Sequence, residues 1–444
     1  MTTQIFQAST LYGTATLAAA LDSGCFRPAD RRILLVCNNA ATPETTPALD
    51  AMPGFERLRD RFDDVVSYNG TIFPFHPGGW APRGEDLPLW ERYLRHEWRL
   101  GDDDVELAVE SIQVNPSLAL TQIFTGAPVT VYADGLMSYG PTRNKIDPLV
   151  GTRVDRVLHL DLVPGLKPLL LTEFGVPGEV VPTAAFTKVL AELAPLGDEL
   201  PAVEEPALLL GQYLSALDIL SAEQEEDLHV RMLKGAAALG HTRVVFKPHP
   251  SAPARFTRSL EREAEKLEVE LTVLDTPVLA EVLYQRMRPA LVAGCFSTAL
   301  LTASALYGLP VARVGTDLLL ERLTPYENSN RVPVTIVDAL LPDLSDRTAV
   351  TEQRRGMDVE ALGALVSAVG FAMQPKILPK LRAETESWLA ANLTERTLRY
   401  FKRKRLTSLA LPGGVPAQLG FIPRNATVRR MARKARSLRR VVRR

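Results

Sequence analysis

Short runs of β-branched and other apolar residues alternate along the chain with longer stretches of helical spacing, the pattern of parallel sheets covered by helices. In a first block the predicted strands are QIFQAS (4–9), RILLVC (32–37), DVVSY (64–68), VELAVES (105–111), VTVYAD (129–134) and RVLHLDL (156–162). Helical patterns such as TATLAAALDSG and PLWERYLRHEWRL lie between them. A second block follows GDELPAVEEP (197–206), with strands ALLLGQY, TRVVFKP, LTVLD, PALVAG and PVARVG separated by EQEEDLHVRMLKGAAALG, TPVLAEVLYQRM and STALLTASALYG. The pattern predicts an α/β chain of two Rossmann-like domains, 1–199 and 200–345, then a helical segment 346–396 and a basic tail 397–444. Two doubly wound sheets in tandem turn their carboxyl edges onto a central cleft, so residues just after predicted strands are where chemistry is expected. No internal repeat or low-complexity tract interrupts the pattern.

Composition narrows the class without changing this picture. With 444 residues, 46% hydrophobic and 23% charged, the chain suffices for two or three domains with cores of their own and is not disordered throughout. Cys25, Cys37 and Cys295 are widely spaced and form no C-x-x-C pair, which fits a reducing cytoplasm better than a disulfide framework. The start MTTQIFQAST lacks the basic and apolar regions of a signal peptide, and no window approaches about 18 uninterrupted apolar residues, so neither secretion by that route nor a membrane span is expected.

Charge does change the picture. The net charge of -1 conceals polarity: from Thr397 onward there are 15 Lys and Arg and no acid, leaving 36 basic against 52 acidic residues, a net charge of -16, before it. The last segment, VRRMARKARSLRRVVRR (428–444), sets Val428, Met431, Ala432, Ala435, Leu438, Val441 and Val442 at helical spacing among arginines. It reads as a basic amphipathic helix suited to an anionic membrane surface, which would place the chain peripherally at the inner face of the cell membrane. A solubilising tail and a nonspecific nucleic-acid arm are the alternatives; an apolar stripe serves neither, and no specific nucleic acid is expected.

Three short constellations stand at predicted strand ends. In YADGLMSYG (132–140) the strand delivers Asp134 at its end and Gly135 permits a sharp turn; the carboxylate is placed to act as a general base, or simply to accept backbone N–H bonds in an Asp-Gly turn. In FKPHP (246–250) Pro248 and Pro250 restrict how His249 is presented, with Lys247 beside it, as suits a group that meets a phosphate or protonates a leaving group. In AGCFSTALLTASALYG (293–308) a strand runs through Gly294 into a helix with Ser297 and Thr298 at its start, where free N–H groups and the positive end of the dipole favour phosphate, although Ser and Thr are also ordinary caps. No P-loop, dinucleotide fingerprint or Gly-x-Ser-x-Gly elbow competes with them.

In that order, acid-Gly, His-Pro and Ser-Thr, the chain resembles the bacterial sialyltransferases, particularly the capsular α-2,8-polysialyltransferase family, over residues 1 to 345. The family's acid-acid-Gly motif corresponds to Ala133, Asp134 and Gly135, its HP motif to His249 and Pro250, and its Ser-Ser or Ser-Thr motif to Ser297 and Thr298. Ala133 departs from the pattern and leaves Asp134 alone to carry the base role.

The resemblance implies a GT-B glycosyltransferase that moves sialic acid or a related nonulosonic acid from its CMP conjugate to a glycan or lipid-linked glycan hydroxyl, with inversion, in capsule or cell-surface polysaccharide synthesis. Asp134 is then the base, His249 meets the departing CMP phosphate, and Ser297, Thr298 and Gly294 cradle it, with no cofactor and no metal. Gly211 and Gln212 after ALLL are further candidates for the nucleotide side, Gly13 for the acceptor side, and Asn38 with Asn39 for acceptor hydroxyls. Glu327 is placed for a ribose, Asp102 to Asp104 read as a charged loop, and Trp80, Trp90 and Trp98 read as packing residues. The rival readings are a polyol-phosphate transferase of the teichoic-acid type using a CDP-activated donor, a hexose transferase using a UDP sugar, and an inactive membrane-associated scaffold, which the Ala133 departure makes plausible.

Overall fold

In a computed structural model, residues 1–197, 200–249, 255–354 and 356–415 are described. Pro250 and the segment 428–444 lie outside the described residues. The first sheet holds β1 (Thr2–Ala8), β2 (Arg31–Val36), β3 (Asp64–Ser67), β4 (Asp104–Glu110), β5 (Val129–Ala133), β6 (Val154–Leu160) and β7 (Gly178–Val181) in the order β3-β2-β1-β4-β5-β6-β7. The second holds β8 (Ala207–Leu210), β9 (Arg243–Lys247), β10 (Glu270–Val273), β11 (Leu291–Gly294) and β12 (Val311–Arg313) in the order β10-β9-β8-β11-β12. Every pairing in both sheets is parallel. These are two Rossmann-like domains facing a cleft, the GT-B arrangement.

Why these segments form central strands is visible in their burial. A parallel sheet is covered on both faces, so its central strands are apolar nearly throughout. Ile5, Phe6 and Ala8 of β1 and all four residues of β8 are buried. The strand missing from the sequence reading is β7, GEVV, whose first three residues are exposed at the sheet edge. Helices cover the faces: Leu11–Asp22, rich in small residues, is buried along most of its length, and it packs against Thr183–Glu192.

In each sheet the strand order reverses between two neighbours, β1 and β4 in the first and β8 and β11 in the second. Helices on the two sides of a reversal point leave a crevice at the carboxyl ends of the strands, where ligands of open α/β sheets bind. The turns that follow β1, β4 and β5 therefore face those that follow β8, β9 and β11.

After the second sheet the chain returns to the first domain. The helix Val359–Met373 leads to Gln374, whose side-chain amide donates to the Arg143 carbonyl at 2.8 Å. The segment assigned to a tail from 397 onward needs correcting, because residues 397–415 are folded onto the second domain. Tyr400, Phe401 and Leu406 are buried. Arg405 pairs with Glu327 at 2.7 Å. Buried Asp338 gathers Thr316 Oγ1 at 2.6 Å, Arg399 at 2.7 Å, Tyr400 Oη at 2.9 Å and Arg313 at 3.2 Å.

Removing one partner of a buried ionic cluster leaves the others uncompensated, a loss of about 3 kcal/mol or more. Asp338→Ala is therefore expected to lower the urea midpoint by an amount equivalent to about 3 kcal/mol. The exposed Arg403→Ala is the control and should leave the midpoint in place. Equal midpoints for the two variants would show that Asp338 does not hold the C-terminal segment.

Candidate active site

The helix Leu11–Asp22 begins at Thr10, which keeps extended backbone angles and accepts the Gly13 N–H on its hydroxyl at 2.9 Å. The same hydroxyl hydrogen-bonds the Asp134 carboxylate. Gly13 stands where a side chain would be tight: a Cβ there would lie 3.0 Å from Thr10 Oγ1, 3.2 Å from Tyr132 Oη and 3.3 Å from Asp134 Oδ2, so these neighbours would have to give by a few tenths of an ångström. Gly13 thus acts by letting the helix approach Asp134.

Across the cleft, Ser297 caps the helix Thr298–Tyr307, accepting the Ala299 N–H at 3.3 Å, so the free N–H end of this helix faces Asp134 and Gly135. A Cβ at Gly135 would be 3.0 Å from Thr298 Oγ1. Gln212, in the loop after β8, accepts the Phe296 N–H at 2.9 Å and so fixes the turn that presents Ser297. Gly211 donates to the Lys247 carbonyl at 2.9 Å and packs closely against Phe246 and Pro248, where a Cβ would lie 3.0 and 3.2 Å from them, which binds the β8 and β9 turns together. Tyr12 Oη lies 3.3 Å from Thr302 Oγ1, a polar contact from one domain to the other.

Between these turns lie two cavities of about 520 and 500 Å³. Asp134, Gly135, Gly211, His249, Ser297 and Thr298 line both. The structure thus brings together residues from all three sequence constellations, on a common wall between two spaces large enough for sugar and nucleotide moieties.

The electrostatics of that wall follow from burial. Loss of solvent raises the Asp134 pKa above the usual carboxylate value, while its own backbone N–H and the Thr10 hydroxyl pull it back. Loss of solvent, then the Lys247 charge, lowers His249 below the usual histidine value, with Glu225 opposing. Lys247 is itself lowered by burial, partly offset by Glu281. Burial pushes Glu281 up to about 7.

Two residues at the site escaped the sequence reading. Glu110 closes β4, lines the first cavity beside Asp134, and has its pKa pushed up to about 7, first by burial and then by the Asp134 charge. The strand-end rule that selects Asp134 selects Glu110 equally, since VELAVES is itself a predicted strand. Arg143, half-buried, lines the same cavity; neither it nor Lys247 in the second cavity makes a side-chain hydrogen bond or ion pair among the described residues. No local motif marks Arg143, which follows a 3-10 turn at 136–139.

Other candidates fall elsewhere. Gly294 is the last residue of β11, packed on Leu210 and Leu300, and lines neither cavity. Asn38 spends its side chain on its own loop, donating to the Pro43 and Thr46 carbonyls and accepting the Ala40 N–H. Glu327 is taken by Arg405, and Asp103 accepts from Thr3 Oγ1 at 2.7 Å in a helix-to-strand loop. Trp98 is buried, while Trp80 and Trp90 meet edge to face at 4.6 Å. Among the described residues, no three His, Cys, Asp or Glu side chains gather as they would to hold a metal ion.

A family model described as alpha-2,8-polysialyltransferase (POLYST) matches residues 4–316. None of the curated proteins matches the chain in sequence. Among solved structures, the GT-B domain of a Photobacterium damselae sialyltransferase is similar at 12% identity, with 76% of this chain and 96% of that chain covered and a TM-score of 0.40. The UDP-GlcNAc 2-epimerase of Methanocaldococcus jannaschii is similar at 12% identity, with 81% and 95% covered and a TM-score of 0.49.

Gly13→Ala adds one methyl to a helix that would otherwise favour alanine, so the thermal midpoint should stay within a few degrees of wild type. The methyl pushes on Thr10 and Asp134, and a displacement of under an ångström in a reacting group is enough to slow glycosyl transfer by about tenfold. Wild-type turnover in Gly13→Ala would show that the approach of the helix to Asp134 has no bearing on the chemistry.

Proposed function

Because the chain belongs to the alpha-2,8-polysialyltransferase family, and is thus a sialyltransferase-type glycosyltransferase, we propose that it transfers sialic acid or a related nonulosonic acid from a CMP conjugate to a glycan hydroxyl, with inversion at the anomeric carbon. The observation that carries this reading is the wall shared by the two cavities, where a carboxylate, a histidine and a hydroxyl-bearing helix start converge.

Asp134 takes the proton of the acceptor hydroxyl as that oxygen attacks the anomeric carbon and the bond to the CMP phosphate breaks. Charge grows on the departing phosphate, where Ser297, Thr298 and the N–H groups of the helix start meet it. His249 protonates or hydrogen-bonds the same phosphate. Its lowered pKa favours the neutral ring in the free protein, and a bound phosphate raises it again, so donor binding itself brings the proton. Arg143 and Lys247, one to each cavity and neither in an ion pair among the described residues, offer cationic groups to the phosphate and to the carboxylate of the sugar. These groups supply the positive charge that the step needs, and we place the reaction without a metal or cofactor.

For the acceptor, the reading is a glycan or lipid-linked glycan of a capsule or cell-surface polysaccharide, made at the inner face of the cell membrane. Its support is the sequence of 428–444, arginines interleaved with apolar residues. Among the described residues no helix is long and apolar enough to cross a membrane.

CMP release from CMP-sialic acid, measured in the presence of EDTA with CDP-glycerol and UDP-glucose in parallel, tests the donor and the chemistry together. Turnover should be confined to the CMP sugar and fall at least a hundredfold in Asp134→Asn and in His249→Ala, the scale of a lost general base or acid. Turnover of CDP-glycerol in its place would assign the site to phosphodiester transfer and remove the base role from Asp134.

A further inference from the structure

Asp134 has a carboxylate neighbour. β4 and β5 run side by side with Glu110 opposite Tyr132, so the end of β4 brings Glu110 to the same edge as Asp134, two residues past Tyr132. Consecutive residues of the turn after β1 hold the two acids. Ser9 donates its N–H at 3.0 Å and its hydroxyl at 2.6 Å to Glu110 Oε2, and Thr10 bonds Asp134. The Glu110 backbone is fixed as well, its N–H donating to Gln7 Oε1 at 3.0 Å. Both acids line the first cavity, and neither forms an ion pair among the described residues. At the position where the resemblance expects a first acid, Ala133 packs with the apolar face of Val129 and Val131. The second carboxylate comes from the next strand instead.

We infer that Glu110 is a positioning residue for Asp134: the two carboxylates hold one proton between them near neutral pH, and Glu110 sets the pH at which Asp134 becomes available as a base. This rests on the reading of Asp134 as the base. The physical ground is that two like charges in a site poor in solvent resist joint ionisation, and among the described residues neither carboxylate is held in an ion pair that would relieve them. Burial raises both, Glu110 to about 7. Of the surrounding titratable groups, Tyr132 on β5, Cys37 after β2 and Tyr12 on the first helix are all raised by burial and stay neutral through this range. Arg143 and His249 face the pair from the first cavity, and Lys247 and Glu281 from the second.

The pH profile of CMP release from CMP-sialic acid separates this role from a structural one. In Glu110→Gln the acidic limb should move about one pH unit lower, because Asp134 no longer carries the shared proton for part of the range, and the plateau should fall because the base is weaker. Loss of activity at every pH with the limb unmoved, or an unchanged profile, would overturn the inference. Unfolding in urea provides a readout without turnover. A folded-state pKa raised from 4.5 to about 7 means that the folded protein binds the extra proton in that window and loses stability as pH rises through it. Glu110→Gln should therefore gain on wild type from pH 5 to pH 7.5, and a pH-independent difference between the two would refute the shared proton. If wild type fails to use CMP-sialic acid while the unfolding difference keeps its slope, the proposed donor falls and the carboxylate pair stands.

Discussion

A turn bearing a carboxylate lies so close to the start of a helix from the other domain that a single methyl between them, at Gly135, would crowd Thr298 Oγ1. The rest of the site depends on that approach. An N–H end of a helix acts on charge over about one turn, so its value to an anion in the cleft falls quickly with distance. Bringing it to Asp134 requires small residues where the domains meet: Gly13 lets the first helix close on Asp134, Gly211 lets the β8 and β9 turns pack together, and Gly135 admits Thr298. Tyr12 and Thr302 then supply a polar contact at the same junction.

The approach has an electrostatic cost that the site puts to use. Closing two domains over Asp134, Glu110 and Glu281 removes water from three carboxylates and raises all of them. The same exclusion of water lowers Lys247, His249 and Arg143. Acids made more basic and bases made more acidic are brought closer to neutrality, where proton exchange with a substrate is easiest. Burial, the largest cause for both kinds of group, tunes the wall in the direction that acid-base chemistry needs.

What was legible in the sequence follows from what each element has to bury. Both sheets could be read because their strands are short runs rich in β-branched and apolar residues set between stretches of helical spacing, and only β7, exposed on three of its four residues, lacked the signal. Asp134, His249, Ser297 and Thr298 could be read because order and strand-end placement compensate for short motifs, and all four line the common wall. Glu110 obeyed the same strand-end rule yet has no neighbour in sequence to mark it, since its partner sits on the adjoining strand. Arg143 is placed by tertiary contacts alone. Asn38 and Glu327 show the converse: a polar residue after a strand or in a polar loop carries no label saying whether its bonds go to a ligand, to its own loop, or to an arginine 78 positions on.

The same distinction applies to the basic C-terminal region, which is uniform in composition but not in use. Arg399 and Arg405 are committed to Asp338 and Glu327, and Lys402 donates to the Leu323 carbonyl and to Thr324, so charge within 397–415 serves to fasten the chain's end to the second domain. Five of the fifteen basic residues lie in that stretch, and the other ten, with no acid among them, lie beyond 415. Subtracting the charge spent on folding therefore sharpens the polarity. The acidic body is partly neutralised where Arg399 and Arg405 dock, and apart from the exposed Arg403 and Lys404 the remaining basic residues of this region lie in the last 29 positions of the sequence. Charge concentrated in that way along the sequence is what an anionic surface would attract, and its pull weakens within about a Debye length.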